Sequence, residues 1–177
     1  ENDLQEWISK KYGISKKEYA TYVVPMGADV ESSLPSKGLP DNAKAILKKI
    51  SESTSVLMVG TVEPRKGYEQ ALNSFDLLWM KNSDLVLVIV GKTGWKVSKF
   101  VVKLRAHEQY GKRLFWIENA SDEYLGLIYN ASSGFLIASN GEGFGLPIIE
   151  ALKNGKQVLA RDLPVFREII SKNITYF

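Results

Sequence analysis

The chain has 177 residues, 45% hydrophobic and 24% charged, so it can bury one generous core without covalent staples, or one core plus a piece of a neighbour. It has no cysteine, which excludes disulfides and thiolate metal sites and fits a reducing compartment. A net charge of +3, with Lys and Arg interspersed among acids, gives no basic stripe for nucleic acid; the longest apolar run, residues 85–90, is far below the roughly 20 residues of a membrane helix.

In chain order, residues 1–20 hold one helical pattern, at 4–12, and otherwise read as a linker or a remnant of a preceding domain. A start at Glu1 rather than Met fits a piece of a longer chain, and no signal-peptide pattern is present. A strand is expected over 21–24, then a loose stretch at 25–41, PMGADVESSLPSKGLPD, rich in Pro, Gly and Ser. From there the periodicity alternates: helix 42–50, strand 55–59, helix 67–80, strand 85–90, helix 96–110, strand 113–117 and helix 122–130. Strand 134–138, helix 147–153, strand 157–160, helix 164–170 and a short strand at 174–176 complete the pattern. LVLVIV is apolar at every position, as in a strand covered on both faces. Strand–helix alternation of this kind implies an α/β fold, a parallel sheet with helices on both faces over residues 21–177.

Ligands of such sheets sit at the carboxyl ends of the strands, so the strand-to-helix loops are the places to look. The loop at 139–146 contains GEGFGLPIIE, where Gly141, Gly143 and Gly145 leave the backbone bare before Pro147 opens a helix. Unpaired amides there form an anion site, and a diphosphate fits it. Glu150, near the end of the first helical turn, tilts back toward the helix start, where a ribose diol could offer it two hydroxyls. Glu142 lies in the loop itself and points toward whatever is attached to the far phosphate. A tight turn, with Glu150 as a partner for the helix dipole, is the other reading of the same spacing.

VGTVEPRKGYEQ places Arg65 and Lys66 just before a second helix. A departing diphosphate needs either a divalent metal or basic side chains to neutralise it. The chain has no Asp-x-Asp and one histidine, so the basic pair is expected to act without a metal, Arg65 by forked contacts and Lys66 as a point charge. A solvated turn is the alternative for this pair. VGKTGW, at 90–95, resembles a P-loop but has Val86 where the motif needs a glycine. His107 is expected at the surface of a helix without a catalytic role, and the tryptophans at 7, 79, 95 and 116 as packing groups.

Together these stretches resemble the nucleotide-sugar-binding half of the retaining family-four glycosyltransferases, of GT-B architecture. YVVPMGADV resembles the strand and turn that enter that domain, VGTVEPRKGYEQALNSF the strand with its phosphate-binding Arg and Lys, and LVLVIVGKTGW the next strand and turn. SNGEGFGLPIIEALKNGKQVLARDLPVFREI resembles the glutamate–seven residues–glutamate signature, with its following strand and helix. The resemblance spans about residues 20 to 170 and implies a Rossmann-like domain, truncated at its C-terminus, of a two-domain enzyme. It implies that Arg65 and Lys66 hold the donor diphosphate, beside Gly60 and Thr61. Gly143, Phe144, Gly145 and Leu146 would present amides to the sugar and phosphates. Glu142 would contact the donor sugar, Glu150 the ribose, and the loop from Ile117 to Asn119 the base.

There are departures. Many members carry Arg where Thr61 stands, with Arg65 placed to compensate. Gly141 replaces a bulky residue, and Lys156 a small or apolar one. The EPRKG form is reminiscent of mannosyl- or rhamnosyltransferases. The function implied is transfer of a hexose from a nucleoside-diphosphate sugar to a glycan or lipid-linked acceptor, with no cofactor. The acceptor would be held by an N-terminal domain outside this chain, so the domain alone would bind donor weakly and transfer little. The resemblance implies a cytoplasmic enzyme and is compatible with peripheral association at the inner face of the membrane. A non-catalytic nucleotide-sugar or glycan-binding module is the alternative. A dinucleotide-dependent oxidoreductase is disfavoured because GTVEPRKG is no G-x-G-x-x-G.

Overall fold

The computed structural model describes residues 2–15, 18–22, 34–169 and 172–177. Its elements run α1 (Asn2–Tyr12), α2 (Ala43–Ser51), β1 (Ser55–Val59), α3 (Tyr68–Met80), β2 (Val86–Val90), α4 (Ser98–Arg105) and β3 (Leu114–Ile117). They continue through α5 (Asp122–Ala131), β4 (Gly134–Ile137), α6 (Leu146–Lys153), β5 (Gln157–Ala160), α7 (Pro164–Arg167) and β6 (Ile174–Tyr176).

The six strands pair in parallel in the order β3-β2-β1-β4-β5-β6. The fold is therefore the Rossmann-like α/β sheet the alternation implies. The chain steps outward from β1 to β3, then returns to place β4 on the other side of β1. That reversal opens a crevice at the carboxyl ends of β1 and β4, where open α/β sheets bind ligands. The loops after these two strands are the cation loop and the glycine loop.

Both faces of the sheet are dry at its centre, whereas β5 leaves Gln157 and Leu159 exposed. All five residues of β2 are buried, and alternate ones serve opposite sides. Val86, Val88 and Val90 pack with Leu57, Phe115, Tyr124, Ile128, Phe135, Ile148 and Phe166 beneath α2, α5, α6 and α7. Leu87 and Ile89 pack with Met58, Leu72, Phe75, Trp79, Leu104 and Trp116 beneath α3 and α4. A strand buried on both faces has no polar side to alternate with, which is why LVLVIV reads as it does.

Several expected boundaries move. Thr21 and Tyr22 are not in a strand, and Val23 and Val24 of the expected strand over 21–24 lie outside the described residues, as do residues 25–33 of the loose stretch. Helix 96–110 shortens at both ends: Lys96 adopts a left-handed φ of 53°, and the helix ends at Arg105. His107 accounts for the early end. Its Nδ1 accepts a hydrogen bond from the Gln109 backbone N–H at 3.1 Å, while Nε2 lies 2.8 Å from Asp76 Oδ1. A side chain that satisfies nearby backbone competes with the helix ladder. With 12% of its side chain exposed, His107 is a largely covered tie between α3 and this turn rather than an open surface residue. Trp79 and Trp116 are buried as expected, whereas Trp7 and Trp95 are 49% and 55% exposed and are not core groups.

Candidate functional site

The cation loop leaves β1 through Gly60, whose φ of 139° turns the chain, and tightens into a 3-10 turn at Pro64–Lys66. Proline opens that turn and Gly67, at φ 72°, closes it. A Cβ on Gly67 would stand 2.2 Å from the Ala138 carbonyl oxygen, so only glycine lets the cation loop press against the end of β4. Across this contact the Asn140 N–H donates to the Arg65 carbonyl at 2.7 Å. The two loops after the neighbouring strands are laced together by backbone.

Their side chains converge on Glu142. Oε1 accepts from Lys66 Nζ at 2.5 Å and from the Ser139 hydroxyl at 2.8 Å, while Oε2 accepts from Arg65 Nη1 at 2.9 Å. Arg65 Nη1 also donates to the Gly141 carbonyl at 2.9 Å. Only 7% of the Glu142 side chain is exposed. Burial alone would raise its pKa, but hydrogen bonds from Lys66, Ser139 and Arg65 outweigh it and hold the carboxyl below the usual range. The same bond to Glu142 leads the causes that raise the Arg65 pKa. Beneath them the Tyr68 hydroxyl donates to the Gly60 carbonyl at 2.7 Å, and burial, with Glu142 and Glu63 nearby, keeps this phenol protonated.

The glycine loop enters α6 through Gly145, at φ 90°, where a Cβ would stand 2.8 Å from Phe166 Cε1. That glycine is required by the fold. Gly141 and Gly143 are different: a Cβ on either meets nothing within 4 Å, and neither has a left-handed φ. Among the described residues, the backbone amides of Gly143, Phe144, Gly145 and Leu146 donate to no protein acceptor. Helix α6 starts at Leu146 with Pro147 second, one residue earlier than expected. The loop therefore presents bare donors at a helix N-terminus beside two cations.

Glu150 sits farther along α6, in the wall of a cleft of about 290 Å³ that also takes in Leu125, Tyr129 and Lys153. The Tyr129 hydroxyl donates to Glu150 Oε2 at 3.2 Å. Burial raises the Glu150 pKa and the Tyr129 bond only partly offsets it. The tyrosine itself is kept protonated by burial and by Glu150. The wall is held in place by Lys156, which donates to the Asn130 and Ser132 carbonyls at 3.1 and 2.7 Å, at the end of α5.

Of the remaining expected residues, Gly60 has its N–H on the Val90 carbonyl and Thr61 is exposed. The Ile117 carbonyl accepts from the Gly91 N–H at 3.0 Å, and Asn119 is exposed beside it at the end of β3. The crevice thus gathers Arg65, Lys66, Glu142 and the amides of 143–146, while Glu150 occupies its own cleft. Sequence reasoning missed Ser139, Tyr129, Glu63 and Trp95. Ser139, three residues before Glu142, and Glu63, two before Arg65, were within local reach; Tyr129 meets Glu150, and Trp95 meets Glu63, only through the fold.

The profile of the family described as "Glycosyl transferases group 1" matches residues 41–177. The serotype-specific mannosyltransferase WbdA of Escherichia coli is 49% identical over 177 residues, 99% of this chain and 22% of that protein, so the chain spans about a fifth of that relative's length. Among solved structures, the C-terminal domain of the glycosyl transferase group 1 protein LpcC from Francisella tularensis superposes with a TM-score of 0.63 at 24% identity, covering 85% of this chain and 80% of that one. Anabaena HepE, solved in complex with UDP and glucose, gives a TM-score of 0.60 at 18% identity over 79% of this chain and 38% of that one. With the profile matched from α2 to β6 and the signature acids carried on the loop and helix that resemblance implied, the chain belongs to the glycosyl transferases group 1 family.

Proposed function

We propose that this chain is the donor-binding domain of a retaining glycosyltransferase that moves a hexose from a nucleoside-diphosphate sugar to a glycan or lipid-linked acceptor. The observation that carries the reading is the convergence of bare amides at 143–146 with Arg65 and Lys66 at the crevice between β1 and β4. Gly141 and Gly143, which the fold itself does not demand, suit a ligand that must approach the main chain.

When the bond from the sugar's anomeric carbon to the phosphate oxygen breaks, charge grows on the departing diphosphate. The amides at the start of α6 and the two cations are fixed where that charge develops, which lowers the barrier without reorganisation. A lysine ammonium has three donors, and Glu142 engages one of those of Lys66. The others can serve a phosphate oxygen. The pair takes the role a divalent metal has elsewhere, so the reaction proceeds without one. Glu142 lies between the cations and the glycine loop, beside the expected place of the sugar, and Glu150 takes the ribose hydroxyls. The acceptor hydroxyl attacks from the face the leaving group vacates.

Mannose is the donor sugar we assign, in keeping with the mannosyltransferase WbdA. The location proposed for the reaction is the cytoplasm. No helix among the described residues is long and apolar enough to cross a membrane. Calorimetric titration with UDP, GDP and ADP tests the reading. Binding of one of them with micromolar to millimolar affinity is expected, and no binding by any at millimolar concentration overturns it.

A further inference from the structure

The VGKTGW turn, which is not a phosphate loop, lies directly against the one that carries the cations. Gly91 has φ 154°, and a Cβ on it would stand 1.9 Å from the Gly60 carbonyl oxygen. A Cβ on Gly94 would stand 2.8 Å from both Thr61 Cγ2 and the Val62 carbonyl oxygen. Both glycines are there so that two backbones can touch. Backbone hydrogen bonds seal the contact: Val62 N–H to the Lys92 carbonyl at 2.8 Å, and Gly94 N–H to the Val62 carbonyl at 2.9 Å.

This close approach delivers Trp95. Its indole N–H donates to Glu63 Oε2 at 2.5 Å, and the other oxygen of Glu63 accepts from Arg65 Nη2 at 3.1 Å. The exposures are telling. Arg65 and Trp95 are 44% and 55% exposed, whereas the acid between them is only 12% exposed. Glu63 is sunk between two donors, one from each loop, and touches no other described side chain by hydrogen bond.

We propose that Glu63, itself anchored by Trp95, is a positioning residue that aims the Arg65 guanidinium at the donor diphosphate. The proposal rests on the donor-binding reading above. Arg65 stands on a single 3-10 turn, and a long side chain there loses rotamer freedom when it binds. Glu63 on one edge of the guanidinium and Glu142 on the other settle its plane before any ligand arrives. The remaining donors, Nε–H and one hydrogen on Nη2, are left for phosphate oxygens. An unshielded acid at this place would repel a diphosphate. Sharing its charge between an indole and a guanidinium makes Glu63 a brace instead.

The test is a calorimetric comparison of wild type with Glu63→Gln, Trp95→Phe, Arg65→Ala and the Glu63→Gln/Arg65→Ala double variant, using UDP, GDP, ADP and their monophosphates, with thermal melts to verify folding. Glu63→Gln should lose ~tenfold in diphosphate affinity, the scale of a charge-assisted hydrogen bond, with little change for the monophosphates. Trp95→Phe keeps the ring and loses the donor; it should cost about threefold, and it carries the test if Glu63→Gln fails to fold. In the Arg65→Ala background Glu63→Gln should have no further effect. Equal loss in both backgrounds, unchanged affinity, or tighter diphosphate binding by Glu63→Gln would overturn the proposal while leaving the donor-binding reading intact. A wild-type protein that binds no nucleotide overturns both.

Discussion

Glu142 and Glu150 have seven residues between them, and the fold puts them in opposite electrostatic settings. Around Glu142 two cations and a hydroxyl converge, and its pKa falls. Around Glu150 one phenol and a half-buried wall remain, and its pKa rises. The first acid is a keystone that keeps Arg65 and Lys66 together. The second is a carboxylate short of donors, which is the state suited to accepting hydroxyls from a ligand. Identical residues thus meet opposite surroundings: one is tied into the folded structure by cations, and the other, on the donor-binding reading proposed above, is left to meet a ligand.

The sharpest way to break this contrast is Glu142→Ala. Lys66, with 12% of its side chain exposed, would lose its acid partner, and stability should drop by about 3 kcal/mol in urea unfolding, the scale of an orphaned part-buried charge. Glu150→Ala should not destabilise comparably; equal losses would erase the distinction. Next come the ligand effects. Glu150→Ala should weaken nucleoside diphosphate and monophosphate alike, by ~tenfold for two lost hydrogen bonds. Lys66→Ala should weaken the diphosphate by a similar factor and spare the nucleoside, and calorimetry separates the two patterns.

The pH dependence should have opposite signs. Glu142 has a lowered folded pKa, so its stabilisation is complete above the ordinary glutamate value of about 4.3 and is lost as pH falls through the folded value. The stability gap between wild type and Glu142→Gln should therefore close in acid. Glu150 has a raised folded pKa, so its ionised form costs stability near neutrality, and that cost fades as pH falls from the raised value toward about 4.3. Glu150→Gln should be slightly more stable than wild type at pH 7 and equal to it near pH 4. The smallest effect is that of Tyr129→Phe, which removes one hydrogen bond worth about 1 kcal/mol and should push the Glu150 pKa further up, readable by carboxylate NMR titration.

What the sequence made legible follows from the range of the forces involved. Strands such as 55–59 and 85–90 carry their burial in their own composition, and the structure places them within a residue of expectation. The start of α5 was legible too, because the Ser121 hydroxyl accepts from the Tyr124 N–H at 3.0 Å, a purely local cap. The end of α4 was not, since it depends on His107 meeting Asp76 on another helix. Arg65, Lys66 and Glu142 could be named from their loops, but that two loops 76 residues apart would lock into one charged cluster is a property of the strand order. Trp95 looked like a core residue because tryptophan usually is one; its partner Glu63 lies 32 residues earlier and is brought to it by two glycines.

The Lys156 ammonium spans two carbonyls at the end of α5, those of Asn130 and Ser132. Through it the turn after α6 is moored to the end of the helix that bears Tyr129. The spacing between the phenol and Glu150 is then governed from outside the cleft, by a residue that touches neither. Removing that tether, as in Lys156→Ala, would free the turn after α6 from the end of α5 and let the distance between the phenol and Glu150 vary, leaving both groups chemically intact.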